Sequence, residues 1–504
     1  MLGLSLLIIG PGLLAGWEDL RQAEQAMGEG RFAAAASDYS AAAQRLMWQP
    51  ALWEHAAQAA LASGNPQAAI PLFERAEDKK ALSPQGWLAW GDAYQQSGNV
   101  ASALATWQTG IAQHGPSTAV YARLARAYRL QGDYPAAITA WRALLDLDAG
   151  DADAHYQLGL LLASTAPELA LPELMQAARL DPGLDAAVQG LRASLNAALL
   201  VDDRPYQMLM SGRALAALGE WELAVEAFRR ALSARRDYAE AWAWLGEARQ
   251  HLGADGLPDL QTALLLDPDS PGVNALVGLY WGRQGRADQA LAFFRKAMRL
   301  EPGNAAWYAA AGSAAEQAGD LVAALMYYKQ AVALDPQGAA YWHSLASFCA
   351  RYQVEVTETG LPAAQRLLAL APQDWRSQDV MGQVAQAASD PLSAEKYYLG
   401  ALELAPEQAA PHFHLGLLYL QLSRAQPAYD NLVKARKLDP DGPYGWQGSF
   451  FFHNSIISLR EHSKRLGRAF LKSIHYVIVR CPLPPALPSR TGVPPLLAAR
   501  TVAG

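Results

Sequence analysis

The chain has 504 residues, of which 51% are apolar and 18% are charged, and it carries a net charge of −7. This composition excludes an intrinsically disordered chain, and the negative charge argues against a nucleic-acid backbone as the main partner. Two cysteines without a CxxC motif exclude a disulfide framework and a cysteine metal site.

The first sixteen residues, MLGLSLLIIGPGLLAG, are apolar and contain no charged side chain. They are shorter than the roughly 20 residues of a spanning helix, and Pro11 interrupts them. A signal segment cleaved after Ala15 or a weak anchor fits this length, although no Lys or Arg precedes the apolar run. We therefore expect a membrane-anchored or exported protein that contacts the membrane through this leader. The alternative is a cytoplasmic protein. In that case these residues either form a buried cap on the first repeat or result from a wrongly assigned start of the sequence.

Between residues 17 and 440 the sequence repeats with a period of 34 residues. Identical residues stand 34 positions apart at Gly278 and Gly312, Ala290 and Ala324, Pro302 and Pro336, and Pro406 and Pro440. Small residues recur where two helices would cross closely, and large residues recur beside them. A pair of helices in each period explains this alternation, with glycine in the turn and proline after the second helix.

This pattern resembles the tetratricopeptide repeat family, as in the unit that contains Trp87, Trp90, Gly91, Tyr94, Gly98, Ala103 and Trp107. The resemblance implies an all-α fold, a right-handed superhelical solenoid of antiparallel helix pairs. In the turns within the pairs, we expect left-handed glycines at Gly64, Gly98, Gly132, Gly219, Gly285 and Gly319.

We predict twelve units, beginning near residues 17, 51, 85, 119, 152, 205, 239, 271, 305, 339, 375 and 409. Residues 17–182 hold five of them and residues 205–440 hold seven. Between these arrays, the segment 183–204 is predicted to contain one inserted amphipathic helix, Asp185–Leu200, and a polar break. The seventh unit has a short second helix around Leu257–Leu266, and the tenth degenerates across Tyr352–Gly360.

In this family the first helix of each repeat lines a concave groove, and the resemblance implies the same groove here. Its basic part is formed by Arg123, Arg126 and Arg129, followed by Tyr156 and Arg213. Arginines suit an acidic or carboxylate-bearing peptide, and the alternative is that they pair with neighbouring carboxylates. Acidic groove residues are predicted toward both ends, at Glu24, Glu54, Asp92, Glu240, Glu247 and Glu316.

Near the end of the array the predicted groove becomes apolar, with Phe413, Leu417 and Leu420. These residues either pack against the tail or form a hydrophobic patch for a partner. The tail itself, residues 441–504, is basic and does not repeat. A basic amphipathic helix near residues 454–475 is predicted to cap the last repeat or to lie on an anionic membrane. The proline-rich part after residue 481 is predicted to be disordered, and an artefactual or frame-shifted end is the alternative.

The sequence contains no motif that indicates catalysis. HExxH, P-loop, GxSxG and GxGxxG patterns are missing, and the ten histidines are scattered. His412 and His414 fall on different faces of a helix, which argues against a shared metal. Cys349 replaces a packing residue of a first helix, so we expect a buried thiol. We therefore expect no enzymatic activity, no cofactor, no metal and no nucleic-acid partner.

These observations predict a protein–protein interaction scaffold that binds peptide or protein partners in its groove and is tethered to a membrane by its leader. The alternative is a non-catalytic substrate-recognition subunit of an enzyme or of an envelope-assembly complex. A catalytic domain on this chain is not expected, because the 64 residues after the array are too few for one.

Overall fold

Helices make up most of the computed structural model, which describes residues 2–444 of the backbone and side chains from residue 12 onward. The described chain contains 25 α-helices and no strand, which confirms the all-α prediction. Twelve pairs of helices and one additional helix make up this number. The chain divides into two compact units, Met1–Ala193 and Ser194–Gly504.

The first unit contains five helix pairs. Their bounds are α1 Leu2–Gly28 with α2 Phe32–Arg45, α3 Leu52–Ala62 with α4 Pro66–Asp78, α5 Pro84–Gln96 with α6 Val100–His114, α7 Thr118–Gln131 with α8 Tyr134–Leu147, and α9 Ala152–Thr165 with α10 Pro167–Leu180. A 3-10 turn, Pro182–Leu184, leads into α11, Asp185–Leu199. An additional helix therefore lies where the sequence predicted the insertion.

The second unit contains seven helix pairs. Their bounds are α12 Arg204–Ala217 with α13 Trp221–Ala234, α14 Ala239–His251 with α15 Leu257–Leu266, α16 Pro271–Arg283 with α17 Ala287–Leu300, α18 Ala305–Gln317 with α19 Leu321–Leu334, α20 Ala339–Tyr352 with α21 Leu361–Leu370, α22 Trp375–Ala387 with α23 Pro391–Leu404, and α24 Ala409–Gln421 with α25 Ala425–Leu438. The short second helix of the seventh repeat is α15, which has 10 residues.

The leader and the first helix of the first repeat form one continuous helix, α1, which runs through residue 16. Within this helix, Gly16 packs closely against the end of α2. A Cβ atom at Gly16 would lie 2.9 Å from Arg45 Cβ and 2.9 Å from the Leu46 side chain. No described helix is both long and apolar enough to cross a membrane.

Each pair is held together by a small residue in the first helix and a large residue in the second. A Cβ atom at Gly91 on α5 would lie 2.1 Å from Trp107 Nε1 on α6, and Trp107 is fully buried. The indole N–H of Trp107 donates to the Leu88 carbonyl at 3.1 Å. The same close approach joins Gly212 to Phe228, Gly278 to Phe294, Gly312 to Tyr328, and Gly382 to Tyr398. The small and large residues that alternate in the sequence are therefore the residues that pack the two helices of each pair together.

The turns within the pairs follow the predicted chemistry. All six predicted turn glycines have a positive φ, between 70° and 83°. In the last two repeats Ser389 and Ser423 take this left-handed conformation instead, at φ values of 63° and 60°. Asparagine or aspartate then caps several second helices, since Asn65, Asn99 and Asp133 each accept a hydrogen bond from the third helical residue.

The tenth repeat departs from the regular geometry where the sequence predicted degeneration. Gln353 and Glu355 have positive φ values of 53° and 45°, and a π-helical turn, Val356–Gly360, precedes α21. Cys349 on α20 is fully buried, and burial raises the pKa of its thiol to about 11. The prediction of a buried thiol is confirmed.

The apolar residues of the last repeat belong to the core. Phe413 and Leu420 are 2% and 7% exposed, and the rings of Phe413 and Tyr444 lie 5.6 Å apart. The interpretation of Phe413 and Leu420 as a partner patch is wrong, because α25 and Tyr444 already cover them, and Leu417 is half-buried against the same core. The predictions for residues 445–504 lie outside the described residues.

Candidate partner-binding face of the first helices

Three of the predicted groove residues, Arg123, Arg126 and Arg129, form a row along α7. Their spacing of three residues places them on one side of the helix. We refer to these three residues as the α7 arginine row. Each side chain reaches toward the first helix of a neighbouring repeat, so the row joins α5, α7 and α9 within the first unit.

Arg123 makes the tightest contact of the row. Its Nε donates to both carboxylate oxygens of Asp92 on α5, at 2.7 and 3.0 Å. The two side chains are 34% and 22% exposed, so this pair is partly removed from water. Asp92, which the sequence placed in the acidic part of the groove, is therefore neutralised by Arg123.

Arg126 is the most accessible member of the row. It donates to Asp153 Oδ2 on α9 at 2.9 Å, and the two side chains are 56% and 51% exposed. Its guanidinium carbon lies 5.7 Å from the centroid of the Trp141 ring, which orients the side chain. Exposed ion pairs contribute only about 0–1 kcal/mol, so a carboxylate of a partner can replace Asp153 at little cost.

Arg129 donates to the side-chain oxygen of Gln157 on α9 at 2.8 Å. Gln157 donates in turn to Asp153 at 3.3 Å, so Arg126 and Arg129 share one hydrogen-bonded network. Tyr156 precedes Gln157 on α9 and is half-buried. The first unit thus brings the α7 arginine row together with the helix that carries Tyr156.

Arg213, the fifth predicted residue, lies on α12 in the second unit. Its guanidinium carbon is 5.3 Å from the centroid of the Trp244 ring. Burial lowers the pKa of the Arg213 guanidinium from its usual value, and the nearby Glu240 carboxylate acts in the opposite direction.

Two of the acidic residues predicted for the groove are structural instead. Glu54 is 6% exposed and accepts hydrogen bonds from the Ser83 backbone N–H at 2.7 Å and the Ser83 hydroxyl at 2.6 Å. Glu247 is 1% exposed and pairs with Arg283 and His251. Both carboxylates therefore hold structural contacts within their own units and are not exposed to a partner.

Ion pairs between successive first helices are the feature that sequence reasoning missed. In the second unit they join Glu247 to Arg283 and Glu316 to Arg351, and a hydrogen bond joins Asp379 to the His414 ring at the same place in the repeat. The partners are 36, 35 and 35 residues apart, which is one repeat plus one or two positions. A search for opposite charges at this spacing would have found them.

Within the described residues, no group of three His, Cys, Asp or Glu side chains could hold a metal ion. Of the carboxylates noted above, Glu247 and Asp379 have arginine or histidine partners and Glu54 accepts hydrogen bonds from Ser83. The chemistry that this face offers is recognition by guanidinium, indole and amide groups.

Family models match much of the described chain. A model described as TPR repeat matches residues 125–165 and 212–253. Two models described as tetratricopeptide repeat match residues 20–86 and 88–141, and residues 283–348.

Individual proteins are similar to this chain at low identity. The chain is 29% identical over 125 residues to the UDP-N-acetylglucosamine–peptide N-acetylglucosaminyltransferase of Giardia intestinalis, a match that covers 21% of this chain and 8% of that relative. It thus spans less than a tenth of that relative's length. Among solved structures, the APC/C hetero-tetramer Cut9–Hcn1 has 14% identity and a TM-score of 0.42, covering 85% of this chain and 94% of that one. Yeast Tom70 has 14% identity and a TM-score of 0.39, covering 91% and 99%.

Proposed function

The chain belongs to the tetratricopeptide repeat proteins, and on this basis we propose that it is a non-catalytic scaffold that binds peptide or protein partners along its first helices. In the first unit the proposed partner carries an acidic segment that contacts the α7 arginine row. The observation that carries this proposal is the accessibility of Arg126. Among the described residues, its only carboxylate contact is an exposed ion pair with Asp153, and its guanidinium lies over Trp141.

Preorientation matters because binding must overcome the cost of ordering side chains. A flexible arginine loses rotamer freedom when it meets a ligand, and a guanidinium already placed over an indole loses less. Arg126 is placed over Trp141, and Arg129 is hydrogen-bonded to Gln157. The row therefore presents donors in fixed positions, which favours a carboxylate over a diffuse negative charge.

We expect Arg126→Glu to weaken binding of an acidic partner peptide by about tenfold or more, because a charge-assisted contact is replaced by repulsion. Asp153→Asn should have the opposite effect and tighten binding severalfold, because it removes the carboxylate that competes for Arg126. Affinity is measured by fluorescence anisotropy with labelled glutamate-rich peptides. The acidic partner is first recovered by affinity capture from the native cell, and its binding is then measured in the same way.

The matched control is Arg142→Glu, which makes the same charge change on α8, the second helix of the same repeat, where Arg142 is exposed. It should leave the affinity within about twofold. An equal loss of peptide affinity in Arg126→Glu and Arg142→Glu would indicate only a general charge effect. Weaker peptide binding by Asp153→Asn would show that Asp153 does not compete with the ligand for Arg126.

A second candidate function is a substrate-recognition subunit of an enzyme. It is favoured by the 125-residue similarity to a peptide N-acetylglucosaminyltransferase. The same capture experiment separates the two functions, since a recognition subunit would co-purify with a catalytic chain in a constant ratio.

We also propose that the leader tethers the scaffold to a membrane. Residues 2–15 contain no charged side chain and continue directly into the first repeat as α1. A helix with no break at the boundary would hold the first repeat close to the lipid.

Deletion of residues 2–11 should move the protein from the membrane pellet to the soluble fraction of a cell lysate. This deletion retains Leu13, which packs in the core of the first repeat. Binding of the acidic peptide should remain unchanged, because the α7 arginine row is three repeats away. A deletion variant that still sediments with membranes would contradict the tether.

A further inference from the structure

Exposed tryptophans are rare in this protein. Among the tryptophans of the described chain, only Trp17 and Trp48 are largely exposed, at 51% and 57%. The others contribute to the cores of the helix pairs or lie partly buried beside them. Two exposed indoles require an explanation, because the other tryptophans of the described residues are buried or partly buried.

Both tryptophans lie at the same end of the first repeat. Gly16 on α1 packs against Arg45 and Leu46 at the end of α2. Trp17 follows Gly16 directly, and Met47 and Trp48 follow Leu46. Leu14 and Met47 are also exposed, at 73% and 81%. We call Leu14, Trp17, Met47 and Trp48 the N-terminal apolar face.

The charges beside this face neutralise each other. Arg21 pairs with Glu18 at 2.7 Å, and Arg45 pairs with Asp19. The face therefore has no net charge that would attract an anionic surface or an oppositely charged protein. Its composition favours a partner that accepts indole and thioether groups at an apolar–aqueous boundary.

A membrane–water interface is such a boundary. Tryptophan is enriched there because its ring is apolar and its N–H remains close to water. The preceding residues 2–15 are uncharged and form one helix with Trp17, about 21 Å long at 1.5 Å per residue. That length enters the hydrocarbon region without crossing its thickness of about 30 Å.

We propose that the N-terminal apolar face lies in a lipid interface, with Trp17, Met47 and Trp48 at the level of the headgroups. This inference rests on the proposed tether and extends it, because it assigns part of the membrane contact to the folded first repeat. The first repeat is then oriented at the bilayer surface by two separate chain segments, α1 and the loop after α2. A leader acting alone would hold the first repeat near the bilayer but would not fix its orientation relative to the surface.

Flotation of the full-length protein with phosphatidylcholine vesicles tests the proposal. The combined variant Trp17→Ser, Met47→Ser and Trp48→Ser should reduce the partition coefficient by about tenfold or more, which corresponds to about 1.4 kcal/mol. Binding of the unchanged protein should be insensitive to salt, because the face has no net charge. The matched control replaces Leu130, Leu169 and Met175 by serine, which are 79%, 49% and 48% exposed in the same unit. The control should bind vesicles within about twofold of the unchanged protein.

A second measurement reports the position of the face directly. Met47→Cys in a Cys481→Ser background can be labelled with an environment-sensitive dye, while the buried Cys349 stays unlabelled. The dye emission should shift to shorter wavelength on addition of the vesicles, and a label at Leu130→Cys should not respond.

Each of the other outcomes overturns the proposal in a distinguishable way. If the serine variant floats as well as the unchanged protein, the face does not contact lipid and the tether alone stands. If the unchanged protein does not float, both the tether and the face are wrong. Binding only to anionic vesicles at low salt would indicate electrostatic adsorption. Loss of a dimer in the serine variant, with flotation unchanged, would assign the face to a second copy of this chain.

Discussion

Gly91→Ala is expected to lower the free energy of unfolding of the third repeat by about 2–4 kcal/mol. The new methyl group would lie 2.1 Å from Trp107 Nε1, and Trp107 is fully buried, so the indole must move. Overpacking of this kind costs about 1–3 kcal/mol, and a buried donor that loses its acceptor costs about 1–3 kcal/mol more. The better helix propensity of alanine returns at most about 1 kcal/mol.

Hydrogen exchange is the appropriate measurement, because repeat arrays unfold in parts and the effect should concentrate in α5 and α6. Gly190→Ala is the matched control. It lies in helix α11, and a Cβ atom there would contact nothing within 4 Å, so it should be neutral or stabilising by up to about 1 kcal/mol. If amide hydrogen-exchange protection of α5 and α6 is unchanged in Gly91→Ala, the two helices tolerate a larger distance between them.

The fourth repeat already illustrates what such a change does. Ala125 stands one period after Gly91, and Trp141 stands one period after Trp107. Trp141 is 1% exposed, but its buried indole N–H has no hydrogen-bond partner among the described residues. The indole is thus accommodated beside a methyl group but loses the carbonyl that Trp107 uses. Glycine in one repeat and alanine in the next therefore accompany a hydrogen-bonded indole N–H in Trp107 and, within the described residues, an unpartnered one in Trp141.

The helices could be predicted from the sequence because their signals are local. Positions of small and large residues, turn glycines and capping residues all repeat with the period, and the predicted irregularities at α15 and near Val356–Gly360 are confirmed. The leader boundary at residue 16 stays a prediction. Helix α1 runs through this position without a break, and Gly16 lies at a close contact with the end of α2.

The candidate site was predicted less completely, because charge on a helix does not reveal exposure. Glu54, Glu247 and Asp153 are all acidic residues of first helices, yet two are buried and one is half exposed. A carboxylate on a first helix remains accessible to a partner only if no buried donor from the next repeat binds it. Arg283 reaches Glu247 and Ser83 reaches Glu54. Only side-chain geometry separates a groove carboxylate from a structural one.

Arg283→Met is expected to destabilise the seventh and eighth repeats by about 3–5 kcal/mol at neutral pH, because it leaves the Glu247 carboxylate buried without its main counter-charge. The carboxylate is only 1% exposed, and one of its oxygens has no hydrogen-bond partner among the described residues. Arg286→Met, at an exposed arginine in the following turn, is the control and should cost less than about 0.5 kcal/mol.

The pH dependence of this loss identifies its cause. Burial acts to raise the pKa of Glu247, but the charge of Arg283 and the hydrogen bonds from His251 and Arg283 outweigh it, so the pKa is lowered. The pair therefore contributes stability above the unfolded pKa of about 4.3 and loses it as the pH falls through the lower folded pKa. Without Arg283, burial should raise the pKa of Glu247, and protonation then removes the unpaired charge.

The destabilisation by Arg283→Met should consequently be largest near pH 7 and fall to less than half by about pH 4.5, measured by urea unfolding at both values. Adding Glu247→Gln to Arg283→Met should restore part of the stability at pH 7, because an amide needs no counter-charge. A loss that is equal at both pH values, and that Glu247→Gln does not relieve, would mean that Arg283 acts through packing of its aliphatic chain between α14 and α16.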